Sequence, residues 1–160
     1  TNLFATIVAA SVVGEFQDII AQLSILAVLM PIVASMGGTT GQQTLAVVVR
    51  SLATKELNSR NALRMIGKEF MVGLCNGLLF AVMIGIAVRI WFPGQEMISY
   101  IIALAMLCNL TVASLAGILI PLTINRLKID PAIASGVFLI ACTDSGGYFI
   151  FLGLAKLLLF

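Results

Sequence analysis

Residues 131–155 read PAIASGVFLIACTDSGGYFIFLGLA, twenty-five positions in which Asp144 is the only charge. At ~1.5 Å of rise per residue, a helix of this length outspans a hydrocarbon core of ~30 Å, with Asp144 near its middle. A carboxylate at that depth costs about 3 kcal/mol or more unless water, a cation or a partner side chain meets it. The flanking residues Ala141, Thr143, Ser145 and Gly147 are small and leave room for water or a hydrated ion. No lysine or arginine is expected at matching depth, because Arg89 and Lys156 fall near one surface and the other bases near the opposite one. Asp130-Pro131 reads as the start of the segment, with Asp as N-cap and Pro at the first helical position.

Composition agrees with a membrane setting. The chain is 61% hydrophobic and 10% charged, where a soluble domain carries about a quarter charged residues. The fold class expected is all-α: a polytopic bundle of membrane helices. The net charge of +2 gives no reason to expect a nucleic-acid partner. There is no histidine, and Cys75, Cys108 and Cys142 lie far apart in apolar segments, so imidazole or paired-thiolate sites for zinc or copper are not expected. Cation chemistry is left to oxygen ligands, which suit hard ions such as Mg²⁺, Ca²⁺ and Mn²⁺. No activated nucleophile or phosphate-cradling loop is legible, and an enzyme is not expected.

Five segments can be placed. Leu3–Val13 is apolar but covers about half a bilayer, so the chain is expected to begin inside its first span, with sequence missing upstream. Ile19–Val49 is too long for a simple crossing, and the Gly-rich patch Gly37–Gln43 is expected to interrupt it. Phe70–Phe92, Met97–Ile124 and Pro131–Leu159 complete the set. Arg50, Lys55, Arg60, Arg64, Lys68, Arg126 and Lys128 are seven of the nine basic residues and fall in two connections on one side. The positive-inside rule makes that side cytoplasmic. The carboxyl end is then outside, in the cell (inner) membrane, and Glu15 and Asp18 occupy an outer loop. In the third span Gly73, Gly77, Ala81 and Gly85 form a stripe at i+4 spacing, a helix-packing face. Asn76, Asn109 and Thr111 read as interhelical hydrogen-bonding groups.

The second span carries PIVASMGGTTGQQ at 31–43. Pro31, Ser35, Gly38 and Gln42, spaced 4, 3 and 4, share one helical face. Pro31 leaves the carbonyl near Ala27 without its usual donor, and glycines at 37, 38 and 41 admit a neighbour or bare the backbone. Two readings stay open: a pore wall, or a close-packed crossing with Gly37-x-x-x-Gly41 as the contact. Charge arithmetic adds that one Asp144 balances half of a divalent ion. Two copies on a two-fold axis would supply −2, and symmetric homodimers are the commonest oligomers. Mg²⁺ dehydrates reluctantly, so a wide site lined by small residues suits its hydrated form.

Three blocks resemble the membrane domain of the MgtE family of Mg²⁺ channels and transporters. They are the patch at 31–43 with RSLATKEL at 50–57, GILIPLTINRLKIDPA at 117–132, and CTDSGGY at 142–148. The resemblance spans nearly the whole chain, with the blocks in order. It implies a homodimer of five-span subunits in the lipid bilayer, with the ion path at the dimer interface between spans two and five. The family's essential acid falls on Asp144. Its pore-lining positions fall on Ser35, Gly38 and Gln42, with Gly37, Gly41, Gly136 and Ala141 nearby. Mg²⁺ is the implied transported ion. Thr39 and Gln42 replace the Asn of many members, which bears on selectivity or pore width. Full-length members carry a cytoplasmic Mg²⁺-sensing region, absent from residues 1–160, which are read as a transmembrane ion-permeation domain. Alternatives are transport of Mn²⁺, Co²⁺ or Ca²⁺, a proton-coupled carrier, and a non-transporting membrane module in which Asp144 is structural.

Overall fold

The computed structural model describes residues 2–58 and 60–159. Among the described residues six helices follow in order: α1 (Asn2–Gly14), α2 (Gln17–Gln22), α3 (Ser24–Ala53), α4 (Ala62–Trp91), α5 (Glu96–Arg126) and α6 (Pro131–Leu159). The last four are long and apolar enough to cross a membrane, and α1 is a shorter apolar helix. The described residues contain no strand.

The expected single segment Ile19–Val49 is two helices, and the break is not at the glycines. The chain turns at Leu23, whose φ of −132° and ψ of 82° leave the helical region. That turn lets α2 fold over one end of the bundle and bury Phe16 and Ile19. Gly37–Gln43, by contrast, is uninterrupted helix within α3. Glycine costs a helix up to ~1 kcal/mol per residue in water, but inside a bilayer an unmade backbone hydrogen bond costs more. The patch therefore stays helical and expresses its glycines as contact surface.

Helix α5 is central, packing against α3, α4 and α6. Its buried positions run from Ile98 to Ile124 around its circumference. The stripe on α4 meets it closely. A Cβ on Gly73 would lie 2.8 Å from Ser114 Cβ, and one on Gly77 2.9 Å from the Leu107 carbonyl oxygen. Only residues without side chains admit that approach. The opposite face of α4 exposes Leu74, Leu78, Val82, Met83 and Ile86, a surface suited to lipid.

The connections are compact. Leu127–Asp130 reverses the chain with Lys128 at φ 59°; Lys128 N–H donates to Asn125 O and Ile129 N–H to Ile124 O. This paired closure of a helix end is usually completed by glycine. Asp130 Oδ1 then accepts from Ala132 N–H at 2.9 Å, the cap expected from the Asp-Pro pair. At the other end Arg89 Nη2 donates to Glu96 Oε1 at 2.7 Å across the α4–α5 turn, with both side chains exposed.

Candidate cation site

Asp144 projects from the middle of α6 and is half-buried. A Cβ built on Gly38 of α3 would lie 4.0 Å from Asp144 Oδ1 and 4.0 Å from Thr143 Oγ1. Gly38 of α3 thus faces the carboxylate at ordinary van der Waals distance, without a close approach. Asp144 also borders a cavity of about 360 Å³ between α1, α3 and α6, whose walls include Thr6, Val13, Gln17, Met30 and Tyr148. Gly14 and Gln17 carry this cavity to the α1–α2 turn, beside exposed Glu15 and Asp18. No hydrogen bond or ion pair to the Asp144 carboxylate occurs among the described residues.

The hydroxyls of Thr143 and Thr39 are satisfied within their own helices, whereas the buried Ser145 Oγ next to Asp144 has no partner among the described residues. Thr143 Oγ1 donates to Leu139 O at 3.0 Å, and Thr39 Oγ1 donates to Ser35 O. Such back-bonding is the usual resting state of Ser and Thr in membrane helices. It leaves Asp144 and Ser145 as neighbouring polar groups without a hydrogen bond among the described residues.

Helix α3 separates its polar patch onto two faces. Pro31, Ser35 and Gln42 are exposed and Gly38 is half-buried, so the face drawn from their spacing is left largely uncovered. Gly37 and Gly41 are buried on the other side. A Cβ on Gly41 would meet Leu139 Cδ1 at 3.1 Å and the Ala113 carbonyl at 3.3 Å. Gly37-x-x-x-Gly41 is thus a contact with α5 and α6. Ala141 and Gly136 are half-buried on α6, with open space where a Gly136 side chain would stand.

Of the three hydrogen-bonding groups expected between helices, Asn109 behaves as such: its Nδ2 donates to Val33 O at 2.7 Å. Thr111 instead bonds within its own helix, to Leu107 O at 2.8 Å. That corrects the expectation, and the cause is geometric, since a hydroxyl one turn above a carbonyl reaches it without a second helix. Asn76 is half-buried beside a surface pocket with Lys68, Met71 and Cys75.

A second acid packed inside the bundle escapes a reading that starts the third span at Phe70. Glu69 lies two turns inside α4, is buried, and accepts a hydrogen bond from Thr44 Oγ1 of α3 at 3.0 Å. The signal was available: one turn back from Gly73, the small-residue stripe lands on Glu69. Thr44→Val is expected to strip this carboxylate of that bond and to cost about 2 kcal/mol, read as a lower melting temperature in detergent. Glu69→Gln keeps an acceptor for the hydroxyl, so it should cost less. An unchanged melting temperature in Thr44→Val would show that the hydrogen bond contributes nothing.

Four helices long and apolar enough to cross a membrane define the class, that of helical multi-pass membrane proteins. Residues 30–154 match the MgtE family, described as divalent cation transporters, and the chain belongs to that family. It is similar to the magnesium transporter MgtE of Bacillus subtilis, 35% identical over 96% of this chain and 34% of that protein. It also resembles those of Enterococcus faecalis (36%, over 98% and 34%) and Thermus thermophilus (29%, over 95% and 33%). The chain spans about a third of the length of these curated relatives. It is a multi-pass membrane protein of a family of divalent cation transporters.

Proposed function

We propose that residues 1–160 are the ion-permeation domain of a Mg²⁺ channel or transporter that works as a homodimer. Each subunit crosses the membrane five times, with α1 as the first, partial crossing, the basic connections cytoplasmic and the carboxyl end outside. The path runs between the α3 and α6 helices of both copies. Asp144 from each subunit holds hydrated Mg²⁺, the transported substrate, through water. Ser35, Gly38 and Gln42 line the path, Gly136 and Ala141 continue it along α6, and Gly37 and Gly41 shape it from behind by letting α3 seat closely.

The observation that carries this reading is the partnerless Asp144 facing Gly38 beside an open cavity. Magnitudes agree. Six waters at ~30 Å³ each come to ~180 Å³, so a cavity of about 360 Å³ has room for a hydrated ion beside the carboxylate. The purely structural reading of Asp144 requires a partner, and Asn109 Nδ2 donates to Val33 O and makes no hydrogen bond to the carboxylate.

The test is Mg²⁺ flux into liposomes containing the wild-type chain, loaded with a Mg²⁺-sensitive dye. Saturable uptake that persists without a pH gradient, with Mn²⁺, Co²⁺ and Ca²⁺ competing weakly, is the expected result. Uptake that collapses with the proton gradient would instead make Asp144 a proton relay. No uptake of any divalent ion would refute a permeation role.

A further inference from the structure

The amide of Asn109 is a wedge between the two helices proposed to line the ion path. It belongs to α5, is 1% exposed, and lies flat between a glycine of α3 and a glycine of α6. A Cβ on Gly37 would fall 2.5 Å from Asn109 Nδ2 and one on Gly147 3.1 Å from the same atom. The first is closer than a methyl group allows, and the second is tight enough that the amide would have to shift by a few tenths of an ångström. The nitrogen donates to Val33 O at 2.7 Å, while Oδ1 is buried with no partner. An unpaired buried carbonyl costs roughly 1–3 kcal/mol, so packing stability alone favours an apolar residue here.

The placement suggests what the cost supports. Gly37 adjoins Gly38, and Gly147 is three residues from Asp144 on the same helix. Together with the direct contact of Gly41 with Leu139 and Thr143, the thickness of the amide therefore sets how far apart α3 and α6 stand where Gly38 faces Asp144. We infer that Asn109 is a positioning residue that sets the Gly38–Asp144 gap and, through it, discriminates fully hydrated Mg²⁺ from divalent ions that enter partly dehydrated. The inference rests on the permeation reading above.

The chemistry gives the direction. Mg²⁺ releases its waters reluctantly and prefers a site wide enough for water-bridged contact, whereas Mn²⁺ and Ca²⁺ tolerate a narrower one. Asn109→Ala removes the wedge and lets the helices close. The ratio of Mg²⁺ to Mn²⁺ uptake should fall on the order of tenfold in a protein that elutes and melts as a folded species. Asn109→Leu refills a similar volume without the amide and should bring the ratio back to within about twofold of wild type. A merely stabilising role would change the yield of folded protein and leave the ratio alone.

An unchanged ratio in folded Asn109→Ala, or a Leu variant that shifts as far as the Ala one, overturns the inference while wild-type uptake keeps the parent reading intact. Absence of wild-type uptake removes both, and is distinguished by that control. Should Asn109→Ala not fold, Gly37→Ala tests the wedge from its other side. Its new methyl must displace the amide, and an unaltered ratio there overturns the inference equally.

Discussion

Asp144→Ala is expected to reduce Mg²⁺ uptake by proteoliposomes to background, at least on the order of hundredfold, in a protein that still assembles. Two unit charges 4 Å apart attract by ~4 kcal/mol at an effective dielectric constant near 20. Water-bridged contacts are longer, but the ion is divalent and two carboxylates are proposed to share it. Losing ~2.7 kcal/mol already gives a hundredfold. The side chain has no hydrogen bond or ion pair among the described residues, so its removal breaks no contact of that kind within the subunit. Stability should hold or rise, as is usual when an unpaired intramembrane charge is deleted. Asp144→Asn isolates the charge, because it keeps shape and hydrogen-bonding capacity and should lose uptake as fully. Calorimetric titration of Mg²⁺ into both variants should show the binding heat gone. Unchanged flux in either would sink the assignment, and silent flux with a shifted melting temperature or oligomeric state would make Asp144 a packing residue.

How far this was legible in the sequence depends on the kind of signal. Asp144, the cap at Asp130 and the α4 stripe are properties of one helix, and one helix has a fixed period, so spacing places them. The Ser35–Gly38–Gln42 face was readable for the same reason. Two neighbours one residue apart, Gly37 and Gly38, have opposite roles, one closed against Asn109 and the other open toward Asp144. Periodicity separates their faces but does not say which one meets a partner. The turn at Leu23 carries no glycine or proline, and its cause, the burial of Phe16 and Ile19 over the bundle, is tertiary. Glu69 was hidden by its neighbours: Arg64 and Lys68 make its surroundings resemble a cytoplasmic loop, while its own face of α4 turns inward to Thr44. Contacts between helices distant in sequence are what a single chain of letters leaves open.

Gly117→Ala is expected to be the most damaging of the single-methyl additions, with a loss of ~3 kcal/mol or more and a matching fall in uptake. A Cβ there would lie 2.7 Å from the Gly41 carbonyl oxygen and 2.8 Å from Thr44 Cβ, both on α3. Overpacking a side chain costs roughly 1–3 kcal/mol because rotamers can give way. Here the first obstacle is backbone, in a helix held on its other flanks by Asn109 and by the Thr44–Glu69 hydrogen bond. Pro121, four residues on, has no N–H for the Gly117 carbonyl, so this turn of α5 is short of one helical bond before any methyl is added. Displacing α3 at Gly41 also moves Gly38, three residues away, so stability and transport should fail together. Gly67→Ala and Gly153→Ala are the controls, since nothing lies within 4 Å of either added methyl. In helix interiors they should be neutral or stabilising by about 0.5–1 kcal/mol, through the glycine freedom they remove from the unfolded chain. If Gly117→Ala melts with wild type while these controls do not differ from it, then α3 and α5 are not locked at this crossing, and the rigid spacing on which the Asn109 inference depends is lost with it.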